Sequence, residues 1–199
     1  MAANGYTKKV YLAGPDVFLP NAAEIGARKK QLCHAYGFEG LFPLDGKPEG
    51  ASQPLATATQ IYHENVALMQ AADFVIANLT PFRSPSADVG TAFELGMIAG
   101  MGKPALGYTN DCADLLDRLR NWTEIKAAQA TGPQLYDRDG MTVENFGLFD
   151  NLMIACCLED SGTPVIRRNV APDRLYTDMD GFIECLRLAQ QRWPASSNA

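Results

Sequence analysis

The chain has 199 residues, 47% apolar and 20% charged, with a formal charge of −6; it is long enough for one domain with a real core and too short for two full ones. Its 17 lysines and arginines are scattered, which argues against nucleic acid or a membrane surface as a partner. The apolar stretches, such as 89–102, are interrupted by glycine and too short for a bilayer, and the first six residues lack an apolar signal core, so a cytoplasmic protein is expected.

The five cysteines form an odd set without a CxxC pair and read as free thiols. With only His34 and His63 as histidines, neither a cysteine nucleophile nor a zinc site finds support, and no metal or cofactor is expected.

Lys9 to Ala13 is a short apolar run stopped by Gly14-Pro15 and reads as a buried first strand. Asn21 to Tyr36 has helical spacing, with Asn21 as cap and Gly37 as stop; Leu41 to Gln53, rich in Gly and Pro, reads as a loop. Thr57 to Ala72 is expected as a helix and Asp73 to Leu79 as a strand apolar on both faces, the pattern of a covered parallel sheet. A polar loop over Thr80 to Ala87, a helix over Val89 to Met101 and a strand over Lys103 to Tyr108 follow. Beyond Thr109 the pattern weakens: helices at Ala113 to Trp122, Asn151 to Leu158 and Asp178 to Trp193, and a loop at Thr131 to Asp150. The alternation predicts a doubly wound, mostly parallel sheet in a three-layer α/β/α arrangement of flavodoxin or Rossmann type, forming a single domain over 1–193 with a flexible tail at 194–199. Ligands of such sheets sit at the carboxyl ends of the strands, where the loops after Ala13 and Leu79 lie.

In VGTAFELGMIAGMG, residues 89–102, Glu94 is the only charged group, and the helix reads as buried all round. A carboxylate there costs several kcal/mol unless a cavity or hydrogen bonds receive it, so Glu94 is a candidate for chemistry; a structural Glu bonded to a loop is the competing reading. Gly90, one turn earlier, leaves space beside it. Asp88 stands where a carboxylate caps the helix, and Tyr11 lies on the strand expected to approach Glu94, with a hydroxyl able to orient the carboxylate or simply to pack in the core. Phe18, Phe42 and Phe82 are aromatic candidates for stacking on a base, with core packing as the alternative.

Four pieces in order carry a resemblance: VYLAGP (Val10 to Pro15), FPLD (Phe42 to Asp45), SADVGTAFELG (Ser86 to Gly96) and DNLM (Asp150 to Met153). Together they resemble the nucleoside 2-deoxyribosyltransferases over about Lys9 to Ile154. The resemblance implies an enzyme that moves the 2-deoxyribosyl group between nucleobases by double displacement, with net retention. It implies Glu94 as nucleophile, Tyr11 as its orienting tyrosine and Asp88 as the binder of sugar hydroxyls. It further implies Asn151, with Met153 beside it, reaching the 5′-hydroxyl from a neighbouring subunit, so that a homo-oligomer shares its active sites; a helix cap is the plainer role for Asn151. Gly14, Phe18, Asp45, Asn65, Phe82 and Gly90 complete the expected substrate-binding set, with deoxynucleosides and nucleobases as the small-molecule partners.

At the position where familiar members carry an aspartate near the departing base, this chain has Asn65. An amide can hydrogen-bond a base but cannot protonate it, which points to Asp45, Glu64 or a water as the proton source. His63 is expected at the surface or in packing. The nearest rival reading is a 2′-deoxynucleoside or 5′-phosphate N-hydrolase of the same superfamily, in which water takes the sugar. The second rival is a nucleoside sensor that cleaves nothing.

Overall fold

The computed structural model describes residues 7–45, 54–127 and 134–193. Along the chain these form β1 (Lys9–Ala13), α1 (Ala22–Ala35), β2 (Glu39–Leu41), α2 (Pro54–Ala71), β3 (Phe74–Asn78), α3 (Val89–Gly100), β4 (Ala105–Thr109) and α4 (Leu115–Trp122). Then come β5 (Ile125–Ala127), β6 (Leu135–Asp137), β7 (Thr142–Val143), α5 (Leu152–Asp160), β8 (Ile166–Arg167) and α6 (Asp180–Arg192). Five strands make one parallel sheet in the order β2-β1-β3-β4-β8.

The pleat sorts the core into two layers. Tyr11, Ala13, Val75, Ala77 and Ala105 face one side and pack with Met69 of α2, Leu95 and Ile98 of α3 and Leu158 of α5. Val10, Leu12, Phe74, Ile76, Leu106 and Tyr108 face the other and pack with Ile25 and Cys33 of α1 and with Phe182, Cys185 and Leu186 of α6. Every residue of β3 and β4 is buried, as strands covered on both faces require. The chain leaves β1 towards β2 through α1 on one face and leaves β3 towards β4 through α3 on the other. The winding therefore reverses between β1 and β3, and the crevice of a doubly wound sheet opens there, at the carboxyl ends.

Several features differ from the sequence expectation. Between the first helix and the second lies a further strand, β2, which is three residues long and has one buried position. The stretch expected as a loop at 131–150 contributes β6 and β7 to a small antiparallel sheet with β5; its residues 131–133 lie outside the described residues, as do 46–53 of the earlier loop and the tail 194–199. Helix α3 is not buried all round: Val89 is 85% exposed and Phe93 57%. Phe42 is a core residue, 2% exposed, against Gly26 of α1, because its aromatic ring fills space left by that glycine; it offers no free face to a base.

Candidate active site

Helix α3 starts cleanly because Asp88 caps it: Asp88 Oδ2 accepts from the Thr91 amide at 3.0 Å and from Thr91 Oγ1 at 3.2 Å. That start fixes which residues face the sheet, and Glu94 comes to lie against β1. Tyr11, fully buried at mid-strand, donates its hydroxyl to Glu94 Oε1 at 2.6 Å, a length typical of an O–H bond to an ionised acceptor. Burial raises the Glu94 carboxyl to about 7, the Tyr11 bond pulls it down and the Asp88 charge pushes it up. Burial and the neighbouring carboxylate push the Tyr11 phenol far above its ordinary range, so it remains a donor at any working pH. This bond engages one oxygen of Glu94, Oε1.

Asp88 uses Oδ2 as the cap, and its neighbour Gly90 lies close to it: a Cβ there would stand 3.0 Å from Asp88 Oδ2. The loop ahead of α3 is pinned from behind. Asp150, fully buried, accepts from the Ser86 hydroxyl, from the Ala87 amide at 2.9 Å and from the Asn151 amide at 2.8 Å. Arg118 lies 3.6 Å from Asp150 and donates to the carbonyls of Pro85, Ala113 and Phe149. The sequence placed Asp150 inside a motif without assigning it a task.

A second buried polar group lies beneath the crevice, and no sequence spacing announced it. Asp16 and Lys29, 1% and 2% exposed, form an ion pair at 2.7 Å. Asn78 at the end of β3 donates to both Asp16 oxygens at 3.3 Å and accepts from Thr80 Oγ1 at 2.7 Å. Gly14 is where this network demands a bare backbone: a Cβ would meet Asp16 Oδ2 at 2.3 Å and Asn78 Cβ at 2.8 Å. Gly14 therefore lets the turn after β1 close over Asp16.

Phe18 and Phe82 do meet, on the loops after β1 and β3. Their rings stack at 5.4 Å and 13°, and the Arg83 guanidinium lies 4.6 Å from the Phe82 ring centre and 5.1 Å from that of Phe18. Phe18 is still 51% exposed. Asn65 lies on α2 one turn before the core residue Met69, towards the carboxyl edge of the sheet, and its Oδ1 is buried without a hydrogen-bond partner among the described residues.

Asp45 is occupied by its own surroundings, accepting from Lys30 Nζ at 2.5 Å and from the Phe42 amide at 3.0 Å. Glu64 accepts from Gln60 at 2.9 Å, and His63 is exposed against Tyr62.

Asn151 and Met153 are not brought to Glu94 within one chain. Asn151 caps α5, accepting from the Met153 amide at 3.0 Å and donating to Glu144 at 2.7 Å, while Met153 is 73% exposed. Both line a cavity of about 500 Å³ whose α3 wall is Val89, Ala92, Leu95, Gly96 and Ala99. At about 100° per residue, residues 92 and 96 point roughly 160° away from Glu94, so this cavity lies behind the helix that carries Glu94.

The model of a family described as nucleoside 2-deoxyribosyltransferase matches residues 10–153. An uncharacterized protein of Schizosaccharomyces pombe is 34% identical over 164 residues, 77% of this chain and 78% of that protein. Among solved structures, a 2-desoxiribosyltransferase from Leishmania mexicana is 32% identical with a TM-score of 0.60, over 89% of this chain and 97% of its own. A conserved protein from Enterococcus faecalis shares the fold at 17% identity and a TM-score of 0.56, over 92% of this chain and 99% of its own.

Proposed function

The chain belongs to the nucleoside 2-deoxyribosyltransferase family, and from that premise we propose that it exchanges the base of 2′-deoxynucleosides through an ester on Glu94. The observation that carries the reading is the 2.6 Å bond from buried Tyr11 to Glu94, on a carboxyl raised by burial to about 7. A carboxylate so placed is poorly hydrated, held in one orientation and ionised above neutral pH. In the first half-reaction a Glu94 carboxylate oxygen bonds to C1′ as the bond from C1′ to the base nitrogen breaks. The electron pair leaves with the base, which takes up a proton. In the second half-reaction a nitrogen of another base attacks C1′ from the vacated face and sheds its proton, and Glu94 is released as carboxylate. Two inversions leave the anomeric configuration unchanged.

Asp88 Oδ1 takes a sugar hydroxyl in this reading, and the exposed Phe18 beside Phe82 stacks on the base. Asn65 Oδ1 accepts an N–H of the base, the partner that this buried oxygen lacks among the described residues. An amide supplies no proton, and Asp45 and Glu64 are engaged elsewhere. In this reading water supplies the proton to the departing base. The 2′-deoxy preference follows from crowding or hydrogen bonding of Glu94 by a ribo 2′-hydroxyl, and equal turnover of ribonucleosides would remove that point.

The active unit is a homo-oligomer in the same reading. Asn151 and Met153 sit behind their own α3, beside the exposed Val89, and serve the Glu94 of a second copy.

The test is chromatographic: purified protein with deoxyinosine, with and without adenine or cytosine, and E94A in parallel. A new deoxynucleoside that forms only with added base and vanishes in E94A is the expected result. Hypoxanthine released at the same rate without an acceptor would make the protein a hydrolase, and no change with any nucleoside would return the sensor reading.

A further inference from the structure

The family match ends at residue 153, yet the chain beyond it returns to the crevice. Between β8 and α6 the segment Ala171 to Met179 lies against the loop that follows β3. Tyr176 donates its hydroxyl to the Pro81 carbonyl at 2.6 Å, and its ring meets Phe82 edge-on at 5.9 Å and 86°. The segment is itself anchored: Asn110, at the end of β4, donates Nδ2 to the Leu175 carbonyl at 2.8 Å and to that of Asp178 at 3.2 Å. The Asn110 amide in turn donates to Thr80 Oγ1 at 3.1 Å. Both ends of the Thr80–Pro81–Phe82 stretch are thus tied to the C-terminal segment or to the residue that holds it.

The loop needs such a hold. Arg83, immediately after Phe82, adopts φ of 55°, a left-handed conformation that a side chain other than Gly enters only when its surroundings impose it. The Phe82 amide closes the loop on the Ser86 carbonyl at 3.1 Å. A loop released from Tyr176 would relax Arg83 and tilt Phe82 out of its stack with Phe18.

We propose that Tyr176 is a positioning residue for base binding: through Pro81 and Phe82 the C-terminal segment sets the aromatic shelf on which the nucleobase stacks. This rests on the proposed deoxyribosyl transfer. The base is the affected moiety because the clamp touches the shelf and not Tyr11 or Glu94. Burial raises the Tyr176 hydroxyl above its ordinary value, so it stays protonated and donating throughout the working range.

The experiment compares full-length wild type, Y176F and Y176L in steady-state transfer, with inhibition by a free non-reacting base analogue and thermal melting in parallel. Phenylalanine keeps the ring and loses one hydrogen bond, so KM for the donor deoxynucleoside and Ki for the analogue should rise about threefold to tenfold, with kcat within about twofold of wild type. Leucine, which also loses the edge-on contact, should raise both by about tenfold or more. A change in melting temperature alone, with KM and Ki unmoved in both variants, would overturn the clamp and leave the transferase reading standing. So would a fall in kcat at constant KM. Wild type that neither turns over deoxynucleosides nor binds the analogue would overturn the transferase reading and the clamp with it.

Discussion

Replacing Tyr11 by Phe tests how the carboxylate is kept ready. The substitution removes one bond, Oη to Glu94 Oε1 at 2.6 Å, and keeps the ring that fills the core. Hydrogen bonds to a charged acceptor contribute about 1.5–3 kcal/mol. Because this bond favours the ionised carboxylate, its loss moves the protonation of Glu94 upward from about 7. The displacement is roughly one to two pH units at 1.36 kcal/mol per unit. In kcat/KM for the donor nucleoside, which reports the free enzyme, the acid limb should therefore move from near pH 7 to about 8–9. At pH 6 the variant should be about tenfold to a hundredfold slower, because its ionised fraction is smaller by that factor. Near pH 10 the deficit from ionisation should disappear. A residual loss should fall on the second half-reaction, where the carboxylate re-forms without its donor and the ester accumulates. An acid limb at the same pH in both proteins, with a uniform loss at every pH, would refute the assignment of Tyr11 to the ionisation of Glu94.

Glu94 also makes a prediction about stability. The folded chain holds its proton up to about 7, against 4.5 for an unperturbed group. Between those values the folded state binds more protons than the unfolded one, so stability falls as pH rises through the window. E94Q, which keeps an acceptor for Tyr11, should be more stable than wild type by about 2–3 kcal/mol at pH 8 and no more stable at pH 4.5, read from urea unfolding at the two pH values. Gly14→Ala, with its Cβ 2.3 Å from Asp16 Oδ2 and 2.8 Å from Asn78 Cβ, should destabilise by about 2 kcal/mol or more and lower activity; a melting temperature equal to wild type would contradict the close approach. If Asn151 serves the neighbouring site, E94A and N151A should each be inactive alone. Refolded together in equal amounts as a dimer, they should regain about a quarter of wild-type activity, since half the dimers then carry one intact site. No recovery on mixing would place Asn151 outside the catalytic unit.

Much of the sheet could be read from the chain because β1, β3 and β4 bury both faces and write themselves as continuous apolar runs. The shorter strands could not. Glu39–Leu41 buries a single side chain, and the strands of the small sheet have two or three residues each, too few for any period to register. The apolar run of α3 was misread as burial on every side because Val89 and Phe93 are apolar and exposed. A sequence does not distinguish a side chain facing the core from one that faces solvent or a second copy.

At the site, Glu94 stood out as a lone charge, and the Asp88 cap could be read from its position. Asp16, Lys29 and Asn78 could not, since Asp16 meets partners 13 and 62 residues away and no local rule connects them. Tyr176 was hidden for the same reason, joined to Pro81 across 95 residues.

The central claim is that Glu94 carries the sugar. Mixing the protein with a 2′-deoxynucleoside in the absence of an acceptor base, quenching in acid within milliseconds to seconds and measuring intact and peptide masses tests it directly. The account predicts a fraction of the chain heavier by one deoxyribosyl group, mapped to the peptide containing Glu94, lost on addition of a base and absent from E94A. Catalytic base exchange at full rate with no adduct at any time, or an adduct that persists in E94A, would contradict it.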